Sequence, residues 1–336
     1  MSEVITHYTG GDAFTQILLN QSIRFGDLTC MNDYSESKHG LSEMVEKMKF
    51  SELEGVDKDK GMEMENEMKK LIAKCDEDQK CKFFSLSFST DDDLLCMWNY
   101  YLKDQNKGGY NIGFDKEKFI SYLYENVVLH IPNAMLLHGK IMYKESGDVP
   151  QVYDNLANMF IPQLMKNENF GKPFFASIED IAKEMPFKNE NDRKNGYEKF
   201  KEYCFELENQ VNKDCLPDVF IRTKNGDEQC HLFANYFIKG YGFRDEREYR
   251  IIIAIPTEQL DTKQKDRKTK EYSYGTVFAN GMIKSFIAVN FEKTSVEQVV
   301  ISPYNSNRNP IKNTTEFCKN LEIDTKIKTS NLTVEF

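Results

Sequence analysis

The residues best suited to chemistry in this chain fall at alternate positions of one short stretch, "GFRDEREYRIIIAIP". Arg244, Glu246, Glu248 and Arg250 run directly into Ile251, Ile252, Ile253, Ala254 and Ile255. The β-branched run and its stop at Pro256 predict a strand. Successive side chains of a strand point to opposite faces, so the four charges are expected to share the face that continues as Ile252 and Ala254. Two carboxylates about 6–7 Å apart along such a face can stabilise a developing positive charge or move a proton. The same pattern reads as a structural ion-pair ladder at a strand start, where exposed pairs contribute little. The two readings make opposite forecasts. A structural Glu248 gives its oxygens to Arg244 or Arg250; a catalytic one faces a cavity shared with His7 and Ser89.

Other candidates lie far away in the chain. His7 and Thr9 sit in "THYTGG", Arg24 in "SIRFGDL", Ser89 and Thr90 in "FSLSFSTDDD", and Trp98 and Tyr101 in "LLCMWNYY". Each has a plain structural alternative: a hydrogen-bonded histidine at a strand end, or aromatic side chains belonging to the core. Asn32-Asp33 reads as a turn. No nucleophile elbow surrounds Ser87 or Ser89. Gly108, Gly109 and Gly113 lack the spacing of a phosphate-cradling loop. Asp91, Asp92 and Asp93 are consecutive, which suits a helix start better than a metal cage. The eight cysteines, Cys30, Cys75, Cys81, Cys96, Cys204, Cys215, Cys230 and Cys318, form no CxxC pair, and the histidines are not at zinc-finger spacing. No metal is expected.

These residues need a frame to bring them together. "EVITHYTGG" reads as a strand, followed by a helix through "DAFTQILLNQ" with Asp12 as a candidate cap. "KFFSLSFST" alternates as a strand, and "DDDLLCMWNYYL" reads as a helix that Asp91 or Asp92 caps. "KGGYNIGFD", "LLHGKIMYKE", "EYRIIIAI", "EYSYGTVFAN", "IKSFIAVN" and "VEQVVISP" read as further strands, with helices at "KEKFISYLYENV" and "TTEFCKNLEI". Two helical blocks, approximately 41–80 and 153–215, interrupt the strands. Strand groups separated by helical blocks predict an α+β fold, with mixed or antiparallel sheets built from both ends of the chain. We expect one composite domain over 1–336, the helical blocks being insertions.

Composition narrows the function classes. An apolar content of 40% with 12% aromatics supports a core in a chain of 336 residues. A net charge of -10 argues against broad nucleic-acid binding. The basic stretch Lys263, Lys265, Arg267, Lys268 and Lys270 reads as a solvated hairpin loop. No run approaches the ~18–20 apolar residues of a membrane span, and no secretory signal is visible, so a cytoplasmic protein with no membrane partner is expected.

Two resemblances add to this reading. "HYT" at His7, "ND" at Asn32-Asp33, "SFS" followed by "MWNYY", and "KGYGFRDEREYR" resemble, in order, the motifs of the prokaryotic domain-of-unknown-function family 2971. Phe243 stands where that family's late motif has tryptophan, while Lys239, Glu246, Glu248, Tyr249 and Arg250 match. More weakly, the order His, Ser-Thr, aromatic, Glu resembles ADP-ribosyltransferases of the diphtheria-toxin and poly-ADP-ribose-polymerase kind, and Glu-x-Glu resembles their arginine-specific branch. That resemblance implies an ADP-ribosyltransferase-like core and NAD as substrate. Glu248 is then the catalytic glutamate and Glu246 positions or deprotonates an acceptor. His7, with Thr9, binds the adenosine ribose, and Ser89 and Thr90 brace the late glutamate. Trp98 or Tyr101 stacks on nicotinamide, and Arg24 joins the substrate-binding set.

Cleavage of a nicotinamide–ribose bond passes through an oxocarbenium-like state, which a fixed carboxylate stabilises as the charge develops. The expected activity is ADP-ribosyl transfer to an unknown protein or nucleic-acid acceptor, or NAD glycohydrolysis, in a toxin or phage-defence role. The alternative is a non-catalytic module that senses a nucleotide or binds a protein.

Overall fold

The computed structural model describes residues 3–30, 50–52, 57–59, 61–63, 65, 66, 81–102, 108–145, 155, 156, 191, 205, 209, 211, 212, 215–231, 233–260, 272–279, 281–305 and 308–332. The expected helical insertions, the Asn32-Asp33 turn and the basic stretch at 263–270 lie wholly or largely outside these residues.

The chain is α+β. It begins with strand β1 (Val4–Gly10), helix α1 (Gly11–Asn20) and β2 (Ser22–Asp27). Strand β3 (Cys81–Ser89), helix α2 (Leu95–Tyr101), β4 (Gly109–Asp115), helix α3 (Lys116–Asn126), β5 (Met135–Lys140) and β6 (Met142–Lys144) follow. The second half holds β7 (Val219–Thr223), β8 (Gly226–Gln229), β9 (Ile238–Gly240), β10 (Glu248–Pro256), β11 (Tyr272–Ala279), β12 (Met282–Asn290), β13 (Val296–Ile301), helix α4 (Pro310–Asn320) and β14 (Lys326–Thr329).

Among the described residues, twelve strands join one sheet whose main path runs β14-β13-β4-β1-β3-β10-β5-β7-β8, with β2 on β3 and the β11–β12 hairpin on β2. Pairing is antiparallel except for β13 with β14. Strands β6 and β9 form a separate parallel two-stranded sheet. The stretch "LLHGKIMYK", expected as one strand, therefore divides at Ile141 between two sheets. Its first half pairs with β10 and its second with β9.

One strand carries two neighbours along the same edge. β10 pairs with β3 over its full length, from Glu248↔Ser89 to Pro256↔Cys81. The other edge of β3 meets β2 at Gly26↔Ser85 and Asp27↔Phe84 and meets β1 at Thr6↔Ser89. The sheet forks between those contacts, and the ring of His7 reaches into the fork, Nδ1 donating to the Ser87 carbonyl at 3.2 Å.

Alternation then sorts the side chains. Ile5, Phe84, Leu86, Phe88, Tyr249, Ile251, Ile253 and Ile255 enter the main core with α1, α3 and α4. Ser85, Ser87, Ser89, Glu248 and Arg250 occupy the opposite face. There Tyr8, Met97, Trp98 and Tyr304 form a smaller cluster under α2. Each buried aromatic contributes about 2–3 kcal/mol by transfer from water.

The helix starts differ from expectation. The N-cap of α1 is Gly10 and that of α2 is Leu94, neither with a side-chain cap bond. Asp12 lies inside the first turn of α1, where it complements the helix dipole rather than capping it. The three aspartates before α2 are engaged elsewhere. Asp91 Oδ2 takes Arg247 at 2.6 Å, and Asp92 Oδ2 takes Gln298 and Lys328 at 2.6 and 2.7 Å. Asp93 takes Trp98 Nε1, Ser330 Oγ and the Asn331 amide at 2.9, 2.6 and 2.7 Å. Among the described residues, no group of three metal-ligating side chains is suited to hold an ion.

Candidate functional site

The charged stretch is not one strand. Tyr241–Glu246 is a 3-10 turn, and Arg247 then adopts a left-handed backbone with φ 47° before β10 begins at Glu248. That turn breaks the period of two, because a left-handed residue redirects the chain. Arg244 therefore leaves the ladder: its guanidinium lies over the Tyr241 ring, 4.1 Å from the centroid. Glu246, Glu248 and Arg250 remain together, joined by Lys239 from β9.

Glu248 is 3% exposed. Its Oε1 accepts from Ser87 Oγ at 2.6 Å and from Arg250 Nε at 2.8 Å. Its Oε2 faces Lys239 Nζ at 2.7 Å, a close ionic contact. The Glu248 backbone N–H donates to the Tyr143 hydroxyl at 2.8 Å. Burial would raise the pKa of this carboxyl, but Arg250 and Lys239 outweigh it and hold the group down to about 2. Burial also pushes the Tyr143 phenol up to about 12. Lys239 reaches a second carboxylate, Glu246 Oε2, at 3.0 Å, and Arg250 donates to the Tyr236 carbonyl at 2.6 Å. Two anions and two cations thus share one largely buried cluster.

Ser89 and Thr90, expected to brace Glu248, instead bind the backbone just ahead of it. Ser89 Oγ donates to the Glu246 carbonyl at 2.8 Å, and the Thr90 amide and hydroxyl donate to the Arg247 carbonyl at 2.9 and 3.2 Å. Ser87, whose hydroxyl touches Glu248 directly, is the more intimate partner.

The remaining candidates separate. His7 shares the phase of Ile5, and its ring packs 5.9 Å from Phe88, so it lies on the face opposite Glu248. Desolvation lowers its pKa, opposed by the bond to the Ser87 carbonyl. Thr9 is buried beside Tyr110 of β4. Trp98 is 0% exposed and bonded to Asp93, which makes it a core residue; Tyr101, on the same helix, is 45% exposed. Arg24 is exposed on β2, its guanidinium 4.5 Å from the Phe286 centroid, on the same face as Ser85 and Ser87.

Of the two forecasts, the contacts follow the structural one, since both carboxylate oxygens of Glu248 lie against cations. Arg250 takes one of its oxygens, and Ser89 shares its face while His7 does not. Lys239 and Tyr143 went unmarked as site residues in the sequence. Lys239 stands in the late motif, but only folding brings β9 over Glu248. Tyr143 gives no local signal, since its role depends on the division of a strand at Ile141.

A second polar network occupies the core face. His138 is buried, with Nδ1 2.7 Å from the Tyr249 hydroxyl and Nε2 2.9 Å from Asp227 Oδ1. Arg222 lies 2.7 Å from the same Asp227 oxygen and forks onto both oxygens of Glu117 at 2.8 Å. Burial would raise the Asp227 pKa, but His138 and Arg222 bring it down. This chain ties β5, β7, β8, β10 and α3 together.

Comparison with known proteins finds no matching family model, no matching curated protein and no matching solved structure.

Proposed function

We propose that this chain binds NAD and acts in ADP-ribosyl transfer or NAD glycohydrolysis, on a frame of the ADP-ribosyltransferase-like kind. One observation carries the reading. The glutamate, serine and histidine strands are direct neighbours in the order β10-β3-β1, although Ser87 stands 161 residues from Glu248 and 80 from His7. The chemistry asks for a carboxylate that is ionised and fixed before the reaction begins. Glu248 has both properties, oriented by Ser87 and Arg250. Glu246, 16% exposed at its side chain, stands nearer the surface, where an acceptor would arrive. A cytoplasmic toxin or phage-defence role fits such an enzyme by analogy with its chemistry.

A second reading is favoured by the charge balance around Glu248. A carboxylate paired with two cations exerts little net field on a ribosyl cation, which suits a non-catalytic nucleotide sensor. NAD consumption and ADP-ribose labelling of a cell lysate separate the two, with wild type beside Glu248→Gln and His7→Ala. The enzyme reading expects activity in wild type and a loss of at least about a hundredfold in Glu248→Gln, typical of removing an electrostatic stabiliser. NAD binding without turnover leaves the sensor. Absence of turnover, labelling and binding removes NAD altogether.

A further inference from the structure

Glu248 and Lys239 belong to different pieces of the fold. Glu248 opens β10 in the twelve-stranded sheet, whereas Lys239 lies on β9, which among the described residues pairs with β6 in the small parallel sheet. Among the described residues, two single-residue junctions link the small sheet and its turn to the large one, and a third path enters β9 from β8 through residues 233–237, where the Phe233 and Tyr236 rings pack on Phe83 of β3. Ile141 links β5 to β6, its N–H donating to the Glu248 carbonyl at 2.9 Å. Arg247, with its left-handed backbone, links the 3-10 turn to β10. The far end of the turn is pinned where Ser89 and Thr90 bind the Glu246 and Arg247 carbonyls.

We propose that β6, β9 and the turn Tyr241–Glu246 form a lid over Glu248, latched by Lys239, whose ammonium occupies the place a cationic substrate centre would take. The assignment of that substrate as NAD rests on the reading above; the latch itself rests on the geometry. The two carboxylate oxygens are held from different pieces of the fold. Oε1 takes two bonds from within the large sheet, while Oε2 meets Lys239 of the small sheet at 2.7 Å. Lys239 also has a second carboxylate, Glu246, within 3.0 Å on the lid's own turn. It can leave Glu248 without becoming an unpaired buried charge. Tyr143 closes the lid with a neutral contact, accepting the Glu248 N–H. Arg250 adds a third tie, to the Tyr236 carbonyl just ahead of β9. A site whose competent form is a minor state binds its ligand more weakly by the fraction that is open.

Hydrogen exchange read segment by segment tests this on the full chain, with Lys239→Gln and with Tyr143→Phe, which leaves all four charges in place. Both variants should exchange the amides of Met142–Lys144 and Ile238–Gly240 about tenfold faster than wild type, with Ile251–Ile253 unchanged, as expected of a local opening. With NAD, Tyr143→Phe should lower KM several-fold and leave kcat nearly unaltered. Unchanged lid exchange in both variants overturns the latch, as does uniformly faster exchange throughout the sheet. Faster lid exchange with an unchanged KM overturns the gating of substrate. Faster lid exchange with no NAD turnover in any protein leaves the latch standing and removes the NAD reading instead.

Discussion

Ser87 Oγ and Glu248 Oε1 lie 2.6 Å apart across two neighbouring strands, and this bond ties the first third of the chain to its last third. It belongs to a cluster whose charges balance only while all members are present. Replacing Glu248 by Gln leaves Arg250 and Lys239 facing an amide that neutralises neither. Loss of one partner from a buried pair costs about 3–5 kcal/mol. Urea melts of wild type and Glu248→Gln should differ by about 3 kcal/mol at neutral pH.

The same carboxyl predicts an acid transition. Its pKa falls from an ordinary 4.5 to about 2 on folding. A depressed carboxyl stabilises the fold fully above its unfolded value and loses that contribution as pH falls through the folded one. At ~1.4 kcal/mol per unit, the 4.5-to-2 interval is worth roughly 3 kcal/mol. Stability of wild type should therefore drop more steeply between about pH 4.5 and 2 than that of Glu248→Gln, as measured by urea melts across that interval.

His138→Ala should weaken the fold through the opposite face. It leaves the buried Tyr249 hydroxyl without its ring partner, at a cost of about 1–3 kcal/mol, while Asp227 keeps Arg222. Because this network faces the core and Glu248 faces away, NAD turnover per folded molecule should stay within about twofold of wild type. A melting curve beside an activity assay reads both.

Trp98→Phe distinguishes a core tryptophan from a stacking platform. The indole is fully buried and donates to Asp93, so the variant should lose about 1–2 kcal/mol of stability. KM for NAD should not move. Tyr101→Ala, on an exposed ring, should leave stability within about 0.5 kcal/mol of wild type.

Asp93→Asn should loosen the chain's last described segment. Asp93 holds Ser330 Oγ and the Asn331 amide, and charge-assisted bonds of this kind contribute about 1.5–3 kcal/mol. Limited proteolysis should cut beyond Thr329 several-fold faster in the variant, with the sheet intact.

Much of the frame was legible because its signals are local. Alternation in "KFFSLSFS" and the β-branched run of β10 place strands within a residue of where they fold. The face carrying Glu248 and Arg250 also follows from that alternation. Arg244 did not follow, since a left-handed Arg247 has no sequence signature as strong as glycine's. Asp91 and Asp92 looked like caps because capping is the local option for aspartate. Their actual partners Arg247, Gln298 and Lys328 arrive from the far end of the chain. The same limitation hid Lys239 and Tyr143. Their place beside Glu248 is a property of the small sheet's docking, which no window of neighbouring residues encodes.

The order of strands sets a schedule for synthesis. β1 leaves the ribosome early, but its neighbour β3 completes its own pairing only when β10, at Glu248–Pro256, has emerged, and β4 must wait for β13 at Val296–Ile301. Until then β3 and β4 each have an edge without its final partner. Such edges pair readily with the wrong chain, and contacts of long sequence separation form slowly. Chains stalled before about residue 260 should thus be captured by chaperones or aggregate, whereas release after β13 lets the sheet close.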